Sequence, residues 1–323
     1  MYGRLGRAEA GAVVKADCYG LGVDLIAPAL ASAGARTFFV ATLGEGLNLR
    51  DILGSGPAIY VLNGPAANEV EGLRAARLTP VLNSVEQIAL WGDGECALHI
   101  DTGMNRLGLP MRDVGAAAHL KPTIVLSHLA CASDPRDPKN VEQRRRFIDV
   151  AARFPDARKS LSASAGALLG EGFQFDLLRP GIGLYGGGPL DANNPPLAVV
   201  ATLRAPLLSV FDVEAGESVG YGATFVAKRR LRVGTAALGY ADGWLRSLSG
   251  KGYGVLGGAR CPLLGRVSMD LITLDISAAP DARAGDEVEF LGSAAKLDEV
   301  AALAGTIPYE ILTNLSGVRR VLA

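Results

Sequence analysis

What the chain lacks narrows the field first. Its four cysteines, Cys18, Cys96, Cys131 and Cys261, form no CxxC pair, so neither a zinc site nor a disulfide framework is indicated. They read as small buried packing residues in a reducing cytoplasm. Formal net charge is -1, which leaves no global field to draw nucleic acid or an anionic membrane. No apolar run reaches the ~18 residues that a membrane helix needs, and the opening MYGRLGRAEAG has no signal-peptide apolar region. There is no internal repeat and no low-complexity segment. The expectation is a soluble, cytoplasmic protein.

What is present is a large core in prospect. Hydrophobic residues make up 49% of 323 positions and charged ones 20%, enough for one large domain and a smaller one. The first part alternates short apolar runs with helix-like stretches. Strands are expected at 11–16, 37–41, 58–62, 79–82, 97–101, 123–127, 161–164 and 176–179, with helices at 45–53, 66–76, 85–91, 110–120 and 141–154. Strands alternating with helices imply βαβ units and a parallel sheet. Eight of them suit a (β/α)8 TIM-like barrel, whose site gathers at the C-terminal ends of the strands. The Gly/Pro/Asn-rich stretch 186–196 reads as a linker. Beyond it, apolar runs at 198–203, 232–238, 253–256, 271–276 and 287–291 follow one another with only turn signals between them, until a helix at 297–304. The expected organisation is a barrel over 1–195 and a smaller, mainly β C-terminal domain over 196–323.

The strongest local signal is AVVKADCYGLG, residues 12–22, where a buried-type strand ends in Lys15 and a Gly-rich turn follows. A lysine desolvated at a barrel mouth loses basicity and becomes a nucleophilic amine. On spacing alone, a lysine marking a strand end on the solvent rim is the better reading. HIDTGMNRLGL supplies Arg106 after a turn; SHLACASD supplies His128 after an apolar strand; SASAG supplies Ser164; RPGIGLYG supplies Arg179, Gly181 and Ile182. A planar guanidinium suits an anion because its donors are fixed and bidentate. Backbone N–H groups beside glycine can approach a phosphate closely. Gly181, Gly183 and Gly186 also spell GxGxxG, but GGPLDANNPP follows and cannot open the helix a dinucleotide site requires.

Taken together and in order, these blocks resemble the alanine racemase family of pyridoxal 5'-phosphate enzymes. So do SVGYGATFVAKRRLRVGTAALGYADGWLRSL, GRVSMD and TIPYE further on. The resemblance runs from about residue 11 to 320. It implies that Lys15 forms the Schiff base with the cofactor. Tyr19, Ser164, Gly181, Ile182 and Tyr309 would hold the phosphate, His128 would stack on the ring, and Arg179 would face the pyridine nitrogen. Arg106 would bind the substrate carboxylate and Met269 would touch the substrate through its backbone. Tyr240, Arg246 and Arg266 would line the entrance, and no metal is implied.

By the same resemblance, the reaction interconverts L- and D-alanine with two bases, Lys15 on one face and Tyr221 on the other. It would provide D-alanine for cell-wall synthesis. Tyr221 would reach the site of the other subunit of a homodimer. A phenol with an ordinary value near ~10 needs help to ionise, and His128 and Arg179 are candidates for a cationic partner in a hydrogen-bonded chain. Alternatives within reach are a serine or broad-specificity racemase, a decarboxylase on a related barrel, and a non-catalytic homologue that binds the cofactor. The YGAT setting of Tyr221 disfavours the decarboxylase, and a second domain disfavours the non-catalytic carrier. Three departures stand out. Only 14 residues precede Lys15, where the family carries a further strand and helix. His99 replaces a lysine that many members carbamylate to orient the arginine. Cys18 stands where small residues are usual.

Overall fold

The computed structural model describes residues 6–188, 197–315 and 317–321. Two compact units emerge: Met1–Leu184 with Gly188–Pro196, and Tyr185–Gly187 with Leu197–Ala323. Most of the expected linker, 189–196, lies outside the described residues.

The first unit is a barrel of parallel strands. Ala12–Val13, Thr37–Val40, Ala58–Val61, Thr79–Leu82, Ala97–Asp101, Ile124–Leu126 and Arg158–Ser160 pair in that order. Glu9–Ala10 runs parallel to Leu177–Leu178. The ring closes where Gly11 N–H donates to Leu178 O at 2.9 Å and Val13 N–H to Pro180 O at 3.0 Å. Thr37–Val40 and Thr79–Leu82 are buried at every position, as strands covered on both faces must be. That continuous burial explains why apolar runs rather than alternation mark them. Phe38, Phe39, Ile59, Leu82, Leu98 and Ile100 fill the interior, and Phe39 stacks on Tyr60 at 5.2 Å. Each such side chain contributes about 1.5–3 kcal/mol by leaving water.

Helices between strands begin where the sequence provides caps. Thr42 accepts from Glu45 N–H ahead of Leu43–Leu53, Ser84 from Gln87 N–H ahead of Val85–Trp91, and Asp137 from Lys139 N–H ahead of Pro138–Ala151. A hydroxyl or carboxylate there satisfies one of the N–H groups that a helix start leaves orphaned.

Three sequence expectations are corrected, and one helix appears that was not expected. The segment expected as a helix at 110–120 is a 3-10 turn, Met111–Ala117, burying Val114 and Ala117. Their spacing of three suits a threefold turn, and Gly115 weakens the α alternative. The strand expected at 161–164 begins earlier, at Arg158–Ser160. Its polar side chains have partners: Arg158 bonds Glu9 at 2.6 Å and Ser160 Oγ donates to Leu177 O at 2.6 Å. A helix not foreseen, Val23–Ser32, follows the Lys15 turn and tolerates Pro28. In the second unit the run 198–203 is not a strand; Val199 and Val200 are exposed, and the strand is Leu203–Val213, alternating inward and outward from Leu203 to Leu207.

The second unit is a closed antiparallel barrel in the order Leu203–Val213, Leu231–Ala236, Ile272–Asp275, Ala259–Leu264, Tyr253–Leu256, Glu287–Leu291. Gly257 and Gly258, with φ of 56° and 84°, make the tight hairpin between Tyr253–Leu256 and Ala259–Leu264, a turn that demands positive φ twice. Helices Leu297–Ala304 and Pro308–Asn314 follow. No helix among the described residues is long and apolar enough to cross a membrane.

Candidate active site

The chemistry-bearing residues of the first unit fall on or just beyond the C-terminal ends of its strands, where a (β/α)8 barrel builds its sites. Lys15 follows Ala12–Val13 by two residues and opens a turn of unusual hand. Ala16, Asp17, Cys18 and Tyr19 have φ between 53° and 58°. Four successive non-glycine residues in this region cost about 1–2 kcal/mol each, so the surroundings must hold them. At the entrance, Glu45 Oε1 accepts from Ala16 N–H at 2.9 Å; at the exit, Asp17 Oδ1 accepts from Val23 N–H at 2.7 Å.

Lys15 is half-buried. Burial, then the Arg106 guanidinium, lower its basicity, and Glu45 opposes them. The turn ends with Tyr19 buried against Gly181; a Cβ on Gly181 would lie 2.0 Å from the Tyr19 hydroxyl oxygen. Ser164 completes the cradle. Its Oγ accepts from Gly181 N–H at 2.9 Å and Gly183 N–H at 3.0 Å. Both acceptor positions of that hydroxyl are used, so its own proton is left to donate. Ile182 opens a 3-10 turn, and first-turn N–H groups have no partner within their own helix. Tyr19, Ser164 and Ile182 therefore converge as donors suited to a phosphate, with the Gly181 backbone, whose N–H is taken by Ser164 Oγ, packed closely against Tyr19.

Arg179 is 4% exposed and lies among neutral groups. One terminal nitrogen donates to Ser160 O at 2.8 Å and to Ser160 Oγ, and the other donates to Ser127 O. Burial lowers its pKa only to about 10, so it remains a cation at neutral pH. Ser127 Oγ in turn bonds Thr102 Oγ1 at 2.8 Å, and Gln143 donates to Thr102 Oγ1 and to His128 O. Neighbouring strand ends are thereby tied to one helix.

His99 and His128 are both pushed down to about 3, by burial first and then by Arg179. Arg106 adds to both. His128 is thus neutral and cannot be the cationic partner for a phenol; of the two candidates, only Arg179 carries charge. Arg106 stands exposed after a turn that Asp101 Oδ1 organises by accepting from the N–H groups of Gly103, Met104 and Asn105. Cys18 is buried, as expected of a packing thiol, whereas Cys131 is half-buried.

The second unit gathers its own set. Tyr221, 69% exposed, opens a turn with Gly222 at φ 71°; a Cβ there would meet the Arg266 guanidinium at 3.2 Å. Tyr240 N–H donates to Ser268 O at 3.1 Å and Ala241 N–H to Met269 O at 2.9 Å. Gly239 packs so closely that a Cβ would lie 2.1 Å from Met269 O. Arg246 begins a 3-10 turn whose Ser249 Oγ accepts from Val267 N–H. Tyr221, Tyr240, Arg246, Arg266 and Met269 therefore sit on linked turns. Tyr309 lies in the first turn of the helix Pro308–Asn314, and burial raises its pKa.

Sequence reasoning missed Glu45, Asn83, Gln143 and the serine pair Ser127 and Ser160. Only Glu45 left a trace, the Thr-x-x-Glu spacing of Thr42 and Glu45, which reads as a helix cap.

Comparison with known proteins adds the context. A family model described as the alanine racemase N-terminal domain matches residues 1–189, and one described as the C-terminal domain matches residues 200–322. The biosynthetic alanine racemase of Agrobacterium fabrum is 44% identical, over 97% of this chain and 86% of its own. An alanine racemase of Acidiphilium cryptum is 48% identical, over 95% and 90%. The crystal structure of alanine racemase from Bartonella henselae, with covalently bound pyridoxal phosphate, superposes with a TM-score of 0.92 at 37% identity. That match covers 98% of this chain and 93% of the other.

Proposed function

The chain belongs to the alanine racemase family, and we propose that it interconverts L- and D-alanine by proton transfer on both faces of Cα, with Lys15 and Tyr221 as the bases. Pyridoxal 5'-phosphate, held through Lys15, supplies the electron-withdrawing conjugation that acidifies the Cα–H bond.

The chain's own residues do the rest. Lys15 Nζ handles the proton on one face, and its lowered basicity suits an amine that must spend part of its time unprotonated. Tyr221 handles the other face through its hydroxyl. Its exposure in a single chain fits a residue offered to a second copy, so Tyr221 of the partner subunit serves each site in a homodimer. The Ser164 and Tyr19 hydroxyls, the Gly181 and Ile182 backbone and Tyr309 would hold the phosphate. Arg179 keeps a permanent cation toward the ring, and a guanidinium does not hand over its proton. His128 packs as a neutral imidazole. Arg106 offers its planar donors to the substrate carboxylate, while Met269, Tyr240, Arg246 and Arg266 line the approach. The setting is the cytoplasm, and the product serves cell-wall synthesis.

The observation that carries this reading is the placement of a half-buried Lys15 and of the Ser164 hydroxyl, fixed by Gly181 and Gly183 with its proton left to donate, at one barrel mouth. Purified Lys15→Ala should lose the visible absorbance of the bound cofactor. Tyr221→Phe should keep that absorbance and lose racemisation, followed by chiral analysis of alanine, serine and lysine. Normal turnover in Tyr221→Phe would sink the two-base assignment.

A further inference from the structure

Glu45 lies three residues after Thr42, the N-cap of helix Leu43–Leu53. A glutamate at this position ordinarily reaches back to the N–H of the cap residue itself. Glu45 reaches past it. Its Oε2 accepts from Ala41 N–H at 2.6 Å, and its Oε1 accepts from Ala16 N–H, 29 residues away in sequence, at 2.9 Å. The cap has no need of either bond, because Thr42 Oγ1 already accepts from Glu45 N–H. One carboxylate therefore ties the end of strand Thr37–Val40 to the first residue of the left-handed turn.

We propose that Glu45 is the positioning residue for Lys15: its carboxylate anchors the turn that aims the ε-amine and supplies the anion that opposes Arg106 at Lys15. The inference rests on Lys15 being the cofactor lysine. The titratable groups at this mouth come from several elements. Arg106, in the loop after Ala97–Asp101, acts on Lys15 directly, whereas Arg179, at the strand end beyond Leu177–Leu178, acts on His99 and His128, and Asp101 is a further anion acting on His99. His99 and His128, both neutral, come from Ala97–Asp101 and the end of Ile124–Leu126. Asp17, on the turn itself, is engaged by Val23 N–H. Burial, then Arg106, lower the basicity of Lys15, and Glu45 offsets part of that loss. Both directions matter to a lysine that must be free to attack a carbonyl yet basic enough to take a proton from carbon.

The test compares wild type, Glu45→Gln and Glu45→Asp as full-length chains freed of cofactor. Trace acetic anhydride labels Lys15 across a pH series, read by peptide mass spectrometry. Removing the anion should leave more of the amine unprotonated, so Glu45→Gln should label about threefold or more faster near neutral pH. Its midpoint should move to lower pH. Glu45→Asp, which keeps the charge, should stay close to wild type. An unmoved midpoint in Glu45→Gln, or an equal shift in Glu45→Asp, overturns the proposal. Should Glu45→Gln fail to fold, hydrogen exchange in the wild type still decides. The Ala16 amide should exchange as slowly as the barrel-strand amides, and fast exchange there removes the anchor. Neither measurement depends on the cofactor. Lys15→Ala retaining the cofactor absorbance would overturn the reading of Lys15 instead.

Discussion

The Nδ1 atom of His99 lies 2.8 Å from Oδ1 of Asn83, and the Asn83 amide nitrogen donates to the carbonyls of Leu62 and Val81 at 3.0 and 2.7 Å. Asn83 Oδ1 can only accept, so His99 bears its proton on Nδ1 and turns the Nε2 lone pair away from that partner. A Cβ on Gly108, two residues beyond Arg106, would lie 3.2 Å from this Nε2. The side chain that stands where relatives were expected to use a carbamylated lysine is thus a fixed, neutral acceptor beside the Arg106 turn.

This relationship bears first on substrate binding. If His99 steadies Arg106, His99→Ala should raise KM for alanine about fivefold, the scale of one net hydrogen bond near 1 kcal/mol, while cofactor affinity holds. Steady-state kinetics beside cofactor titration measure both. An unchanged KM would leave His99 with a packing role only.

Acid should unfold the protein early. Both imidazoles have folded values near 3 against an ordinary 6.5. Between those limits the unfolded chain binds more protons, so their contribution is fully present above about 6.5 and is lost as pH falls toward 3. From pH 7 to 5 the loss should be about 2 kcal/mol for each histidine. Urea unfolding at the two pH values should show it, with His99→Gln and His128→Gln each shedding one share. Variants as acid-sensitive as the wild type would refute neutral burial.

Gly181 should tolerate no side chain. Its φ is unremarkable, so the difficulty is space: the added carbon would sit 2.0 Å from the Tyr19 hydroxyl oxygen and 2.7 Å from the ring carbon bearing it. Gly181→Ala should weaken equilibrium binding of pyridoxal phosphate at least about tenfold. The double variant with Tyr19→Phe should recover only part, since the ring still collides. Full recovery in the double variant would show that the hydroxyl alone is the obstacle.

Much of the site was legible because its residues lie in short blocks whose chemistry and order are local. Lys15, Ser164 and the Arg179–Ile182 segment are of this kind, and the structure brings them to one barrel mouth. The partners that hold them were not legible. Asn83 follows the end of one strand and His99 lies on another, Gln143 reaches across from a helix, and Glu45 looks like an ordinary helix cap until its 2.9 Å bond to Ala16 is seen. Sequence spacing reports neighbours along the chain, whereas these contacts are made by barrel closure. The fold followed the same division. Runs buried on both faces announced themselves, while Arg158–Ser160 hid because its polar residues find ion-pair and hydrogen-bond partners.

The left-handed turn from Ala16 to Tyr19 limits how this segment can vary. A β-branched side chain fits that backbone region worst of all, and Ala, Asp, Cys and Tyr all lack the branch. The alphabet available beside Lys15 is therefore restricted by the hand of the backbone before any chemistry is asked of the side chains. A Val or Ile placed at Cys18 would be rejected although its volume suits a buried pocket. Substitution tolerance along this stretch should follow branching at Cβ rather than size or polarity.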